Sequence, residues 1–311
     1  MKIVKDHTGF YRRYSRCVAT IGKFDGVHLG HQAIIEQLKD KATRLHLPSL
    51  AIVIEPHPEE FFAASPGDCP ARLTTLDEKL TLLEAKNIDF VYLLTFDLPL
   101  SQLSAEDYIS RILVEGLGVA AFIVGNDFRF GNRRKGDFRL LQASGRQFDF
   151  EVIETATRVI DGHRVSSTFV RQQLEAADFK LVERLLGRPY GISGEVVAGR
   201  RLGTDLGFPT CNVNLHRQRI PVHGVYACEV ELDGRHYPAA VNIGYRPTVT
   251  DQGDALLEAH LLDFRGDLYG RTLTVIFRHK VRDEEKYGSL DALKRQIALD
   301  VEQVRGYFNA A

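Results

Sequence analysis

TIGKFDGVHLGHQAII, Thr20 to Ile35, carries an apolar strand through a glycine-rich turn straight into a helix, and this run decides the fold of the N-terminal half. Glycines at 22, 26 and 30 let the backbone approach a phosphate chain closely. The helix that follows presents unpaired amides and the positive end of its dipole to an anion. His28 and His31 stand three residues apart, so a turn-to-helix junction can aim both imidazoles at one group. A lone histidine there would be a packing or capping residue; the pair in this loop reads as a phosphate site.

Outward from this run, further apolar stretches alternate with helix-spaced segments. CVATIG (17–22), LAIVI (50–54), FVYLL (90–94) and AFIVG (121–125) fit strands covered on both faces. Residues 31–41, 77–86 and 104–113 carry helical spacing between them, and 167–176 and 179–186 form two more helices. The alternation predicts a doubly wound parallel sheet whose ligands bind beyond the carboxyl ends of the strands. At GRPYG (187–191) glycine and proline interrupt the helical pattern, so a boundary falls there, giving domains 1–186 and 187–311. Beyond it ISGEVVAG, GVYACEVELDG, RHYPAAVNIG, LEAHLLDF and RTLTVIFRHKV alternate side chains between turn residues, as in a small antiparallel barrel. Leu290, Leu293, Ile297, Val301, Val304 and Phe308 then line one face of a terminal helix, expected to lid the barrel.

Composition narrows the function classes. The 311 residues hold 40 Lys plus Arg against 41 Asp plus Glu, a net charge of -1, which offers no broad cationic field for nucleic acid. No stretch approaches the roughly 20 apolar residues needed to span a bilayer, and the first residues lack an apolar signal core, so a cytoplasmic protein is expected. Cys17, Cys69, Cys211 and Cys228 form no CxxC pair and read as reduced thiols.

The Thr20 run resembles the HxGH signature of nucleotidylyltransferases, in the GxFDGxHxGH form of bacterial FAD synthetases. IEPHPEEFF (54–62), VGNDFRFG (124–131) and VSSTFVR (165–171) resemble, in the same order, that family's flavin-side PHP segment, its VGxDFRFG segment and its mobile SSTxxR loop. Taken alone, Pro56 and Pro58 around His57 only stop a strand, the basic residues at 129–139 are a solvated face, and Ser166, Ser167 and Thr168 are a helix cap. The resemblance implies more. Gly22, Phe24, Asp25, Gly30, Arg129, Ser166, Ser167 and Thr168 would bind ATP, Pro56, His57, Phe61, Asn126, Asp127 and Phe128 would bind the flavin, and His28, His31 and Arg171 would stabilise charge in transfer.

A second nucleotide site lies in GRRLGTDLGFPTCNVN, starting at Gly199. No GKS or GKT follows its glycines, so it is not a P-loop. Thr210 and Asn212 offer neutral oxygen ligands suited to Mg2+ that also grips phosphates. The run resembles the PTAN motif of riboflavin kinases, with Cys211 in place of alanine, and the resemblance continues through VNIGYRPT, LEAHLLDFRGDLYGR and FRHKVRDEEKYGSLDALKRQI. It implies ATP contacts at Gly199, Gly203, Leu206, Gly207 and Phe208. A primary alcohol does not ionise near pH 7, so a kinase acting on one gains from a carboxylate that accepts its proton. Glu258 is the candidate base; His260, two residues on, either orients substrate or packs.

Together the resemblances imply a Rossmann-like nucleotidylyltransferase domain followed by a flavokinase barrel, acting on riboflavin, FMN and ATP with Mg2+, with FMN and FAD as substrate and product. Cytidylyltransferases and pantetheine-phosphate adenylyltransferases share the HxGH chemistry but leave the PTCN half unexplained. A non-catalytic flavin sensor is the rival from another class, and intact His28, His31, Asn212 and Glu258 argue against it.

Overall fold

In the computed structural model, residues 1–65, 68–155, 157–198, 207–217, 219–245 and 255–310 are described. The chain forms two compact units, Met1–Cys69 with Leu76–Ser166, and Pro70–Thr75 with Ser167–Ala311.

In the first unit, strands β1 (Lys2–Val4), β2 (Cys17–Gly22), β3 (Ser49–Glu55), β4 (Phe90–Thr95), β5 (Val119–Val124) and β6 (Glu151–Glu154) make one sheet in the order β1-β4-β3-β2-β5-β6. All its pairings are parallel. Residues such as Val18, Ala19, Leu50, Ile52, Val91, Phe122 and Ile123 are fully buried, because helices cover both faces. Strand order reverses at β2, which has β3 on one side and β5 on the other. Pairing with β5 stops at Thr20 and Ile123, whereas pairing with β3 runs on to Gly22 and Val53. A crevice therefore opens at the carboxyl end of β2, where ligands bind in sheets of this kind. Thr20 closes its floor, its buried hydroxyl donating to the Ile123 carbonyl at 2.8 Å.

Several features depart from the sequence reading. β1, β6 and the helix Phe138–Phe148 are additional, as is the hairpin of β7 (Val159–Ile160) and β8 (His163–Arg164). The helix expected over 104–113 is α-helical only at Ala105–Asp107 and continues as a π-helix at Tyr108–Gly116.

In the second unit, β9 (Gly191–Val197), β10 (Cys211–Asn214), β11 (Gly224–Leu232), β12 (Arg235–Tyr245), β13 (Ala255–Leu261) and β14 (Thr272–Arg282) close a barrel in the order β10-β13-β12-β11-β14-β9. Every pairing is antiparallel. The inward set, including Ile192, Val213, Cys228, Val230, Val241, Leu257, Ala259, Val275 and Phe277, leaves almost no exposed area. The helix Phe179–Leu186 ends at Gly187, whose φ of 70° needs glycine's freedom. Leu290–Ala310 is the terminal helix. It does not lid the barrel's end. Val301 and Val304 pack with Ala227, Ala240 and Val281, outward residues of β11, β12 and β14, and Tyr307 stacks on His279 at 5.3 Å. Short alanines on the wall make the groove that the helix fills.

Candidate active sites

The turn after β2 is tightly wound. Phe24 and Val27 hold positive φ, at 49° and 40°, and Gly26 holds 80°. A β-branched residue at such a φ is strained, and the strain persists only where packing over-determines it. Phe24 and Val27 are buried with Ile35, Ala51, Val53 and Leu83, which supplies that packing. The turn delivers His28 as N-cap of the helix Leu29–Leu45, its Nδ1 accepting the His31 N–H at 3.2 Å. With Nδ1 an acceptor, the neutral ring carries its proton on Nε2. His28 and His31 stack with ring centres 3.7 Å apart, and Phe24 flanks His31 at 5.2 Å. Burial, reinforced by the nearby His28, Lys79 and Lys23, lowers the His31 pKa well below its ordinary value, so the His31 imidazole is uncharged at neutral pH.

Gly30 has a visible purpose. A Cβ there would lie 3.0 Å from His28 Nδ1 and 3.1 Å from the Val165 carbonyl. Its absence lets the segment ending in Ser166 run against the histidine loop. Beyond β5, Gly125 leaves room for the Asp127 carboxylate, which pairs with Arg164 of β8 at 2.8 Å. Asn126 and Asp127 are exposed, Phe128 stacks on Phe130, and Arg129 turns back to donate to the Phe128 carbonyl at 3.0 Å. Beyond β3, buried His57 caps the short helix Pro58–Phe62, and Phe61 and Phe62 meet Phe96 edge-on at 5.4 and 5.7 Å. These three loops rise from β2, β3 and β5, adjacent at the carboxyl edge of the sheet. Open depressions of about 640 and 600 Å3 lie instead at the amino ends of the strands, among Pro48, Ile88 and Phe90 and among Ala120, Phe150 and Glu151.

Ser167, Thr168 and Arg171 belong to the second unit, at the start of the helix Ser167–Glu175. Arg171 Nε donates to the Ala71 carbonyl at 2.5 Å, a main-chain anchor the motif did not announce.

On the barrel, the PTCN run read as a loop is partly strand: Cys211–Asn214 forms β10. Asn212 lies opposite Glu258, and Glu258 opposite Asn242, so the three form a row across β10, β13 and β12. Cross-strand neighbours of this kind hold their Cβ atoms about 5 Å apart. All three have the parity opposite to inward Val213, Leu257, Ala259 and Val241, so the row lies on the outer wall. Asn212 is only 7% exposed. Asn242 Nδ2 donates to Glu284 Oε1 at 3.4 Å, and the Glu284 carboxylate occupies the space a Cβ on Gly244 would take. His260 holds the main chain: its ring nitrogen Nδ1 donates to the Pro209 carbonyl at 2.8 Å, beside Thr210, and Phe208 packs edge-on to it. Burial pushes the Cys211 thiol up to about 11 and Cys17 up to about 12, so both stay protonated near neutral pH. Gly199, Gly203 and Leu206 lie outside the described residues, and Gly207 has a φ of 89°.

Sequence reasoning named the paired histidines, Asn212 and Glu258. It passed over Asn242 opposite Glu258, Glu284 beside Asn242, Lys79 beside His57, and Phe96 beside Phe61. Asn242 sat in a quoted segment without a role, and its register opposite Glu258 was the missing signal.

A parallel sheet with a histidine-capped crevice, joined to a barrel with a neutral-oxygen and carboxylate row, defines a two-domain enzyme of flavin nucleotide synthesis. The FAD synthetase family matches residues 11–169 and the riboflavin kinase family residues 186–308. The chain belongs to the bifunctional riboflavin kinase/FMN adenylyltransferase family. It is 48% identical over 305 residues to the protein of that description from Pseudomonas fluorescens, covering 98% of this chain and 97% of that one. The Escherichia coli K12 protein is 47% identical, covering 94% and 93%, and the Haemophilus influenzae protein 41% identical over the full length of both. A crystal structure described as a macrolide-efflux protein from Streptococcus pneumoniae superposes with a TM-score of 0.80 at 27% identity, covering 97% of this chain and 98% of that one. Among the described residues here, no helix is long and apolar enough to cross a membrane.

Proposed function

We propose that this chain phosphorylates riboflavin to FMN on the barrel and adenylylates FMN to FAD at the sheet crevice, consuming ATP at each step. The observation that carries the reading is the pairing of two unlike sites, the stacked His28–His31 pair and the Asn212–Glu258–Asn242 row, on two unlike scaffolds.

In the crevice, an FMN phosphate oxygen attacks the α-phosphorus of ATP and pyrophosphate leaves. The nucleophile is already ionised, so catalysis rests on alignment and on stabilising charge at the bridging and leaving oxygens. His28, with its proton on Nε2, donates outward while its other nitrogen holds the helix cap. Neutral His31 adds a second imidazole, and Gly22 and Gly30 admit the phosphate chain. Asp25, Asn126 and Ser166 border the same loops, and the Phe61, Phe62 and Phe96 rings offer an apolar face to an isoalloxazine.

On the barrel, Glu258 accepts the proton of the ribityl 5'-hydroxyl as its oxygen attacks the γ-phosphorus of ATP and ADP departs. Thr210 and Asn212, a hydroxyl and a buried amide, fit a hard cation: their oxygens would hold Mg2+ with the phosphates, and that ion would supply neutralisation of the developing charge. A need for ATP and free flavins supports a cytoplasmic location.

Incubation with riboflavin, ATP and Mg2+, with the flavins resolved by chromatography, gives both FMN and FAD. Glu258→Gln stops FMN formation and leaves FMN-to-FAD conversion intact; His28→Ala does the reverse, so FMN accumulates. Unchanged riboflavin that merely stays bound would establish a sensor, and loss of both steps in either variant would refute the division of labour.

A further inference from the structure

Arg129, Arg133, Arg134, Lys135 and Arg139 crowd into the connection after β5, with only Asp127 and Asp137 to oppose them. All five cations are exposed. Asp127 is taken by Arg164 at 2.8 Å, and Asp137 caps the helix Phe138–Phe148 by accepting the Leu140 N–H at 2.8 Å. Arg129 turns to carbonyls of its own loop. Among the described residues no carboxylate pairs with any of the five, whereas Lys23, in the neighbouring turn, holds Glu59 at 2.6 Å.

The loop that carries them is built, not slack. Phe130 and Gly136 close its neck through two main-chain bonds of 3.2 and 2.9 Å. Asn132 ties it down, its N–H donating to the Leu103 carbonyl at 2.7 Å and its Nδ2 to the Gln102 carbonyl at 3.3 Å. Gly131 permits that approach, since a Cβ there would lie 2.7 Å from Ala105 Cα. Arg133 and Arg134 follow at φ of 52° and 57°, a left-handed conformation that long side chains keep only where the surroundings impose it. Both are exposed, so what the constrained tip presents to solvent is charge. Glu106 and the Asp107–Arg111 pair, on the segment beneath, take away one charge and leave the excess positive.

Topology sets where that charge acts. The connection leaves the carboxyl end of β5, and the returning helix begins only at Phe138, so the loop stays at the carboxyl edge of the sheet. β5 lies beside β2, from which the histidine turn rises. We propose that Arg129–Arg139 is an electropositive collar of the crevice, drawing its phosphorylated substrates, FMN and ATP, by charge and not by contact. The inference rests on the crevice being the adenylyl-transfer site, as proposed above. A molecule of net charge -1 exerts no long-range pull on an anion, and exposed charges are screened beyond about 8 Å at physiological salt, so cations can recruit a substrate only from the mouth itself. Specificity follows as well. An aromatic face offers the same surface to riboflavin and to FMN; a positive collar favours the flavin that carries a phosphate.

The experiment compares the full-length protein with a neutral variant, Arg133→Gln with Arg134→Gln, Lys135→Gln and Arg139→Gln, and with a charge-keeping one, Arg133→Lys with Arg134→Lys and Arg139→Lys. Arg129, an expected ATP contact, is left in place. In FAD formation at low salt the neutral variant should show KM values for FMN and for ATP each raised about tenfold at an unchanged kcat, the effect of removing a steering field. Added salt should raise the wild-type values toward those of the neutral variant, whose own values should stay almost flat. The lysine variant should keep wild-type values, and the KM for ATP in riboflavin phosphorylation should be the same in all three proteins. Wild-type KM values in the folded neutral variant overturn the proposal, and if retention on heparin is lost at the same time the loop serves a polymeric anion instead. A shift confined to one substrate, or one that lysine does not restore, means a direct contact and overturns it too. Should the neutral variant not fold, the wild-type protein decides alone: KM values for FMN and ATP that do not rise with salt refute the collar. Failure of the underlying site reading looks different, since His28→Ala would then keep full FAD formation.

Discussion

The difference between a residue that builds the site and one that only packs near it is sharpest at Gly30. It occupies the first turn of the helix Leu29–Leu45, where alanine would ordinarily favour the helix by up to about 1 kcal/mol. Yet the added Cβ would sit 3.0 Å from His28 Nδ1 and 3.1 Å from the Val165 carbonyl, and the carbonyl belongs to the backbone and has little freedom to yield. The imidazole must therefore move, giving up the N–H of His31 that it accepts. Gly30→Ala is expected to change global stability by less than about 1 kcal/mol, because helix gain and local crowding oppose each other. FAD formation should fall about 10- to 100-fold, the usual result of displacing an aligned catalytic group by a fraction of an ångström to an ångström. Thermal unfolding together with FMN-to-FAD kinetics checks this, and full activity in the variant would show that the close approach is incidental.

At the level of elements, the terminal helix does more than cover apolar wall. Asp300, 4% exposed, grips Arg282 at the end of β14 through two hydrogen bonds of 2.9 and 2.7 Å and accepts a third from Gln296. Two residues beyond Arg282 comes Glu284, which reaches Asn242 in the row containing Glu258. Asp300→Ala leaves the guanidinium partly buried without its carboxylate; since Arg282 keeps some solvent contact, about 2 kcal/mol of stability should be lost, below the range for a fully enclosed pair. Riboflavin phosphorylation should weaken with it while FMN adenylylation holds, measured by urea unfolding and paired assays; an unaltered kinase rate would separate the helix from the site. The same elements show what was legible in the sequence. β2, β3, β4 and β5 were plain because strands covered on both faces must be continuously apolar. β1 and β6 are short edge strands, and β10 hides because Asn212 and Asn214 point outward, so its chemistry masks its strand character. The π-helix was invisible because Tyr108, Ile109, Ile112, Leu113 and Gly116 mark a buried face under either winding. Motifs disclosed the paired histidines and Glu258, whereas Lys79 on a helix reads as a solvated charge until its burial is known.

For the whole molecule, the question is whether two sites in one chain are more than two sites. In the reading proposed above, His28 and His31 would act from the sheet crevice, and Asn212, Glu258 and their neighbours from the barrel wall. Their link is chemical, since the barrel's product is the crevice's substrate. A Glu258→Gln chain retains only the crevice activity and a His28→Ala chain only the barrel activity, so neither alone makes FAD from riboflavin. Mixed in equal amounts with riboflavin, ATP and Mg2+, they should produce FAD after a lag, because FMN must first build up in solution to the level the crevice binds. Diluting the mixture should lengthen the lag, whereas the wild-type chain sets the reference for a single polypeptide doing both steps. A time course of flavins by chromatography reads this directly. FMN accumulating without any FAD in the mixture would mean that an intact barrel site is needed in the same chain as the working crevice.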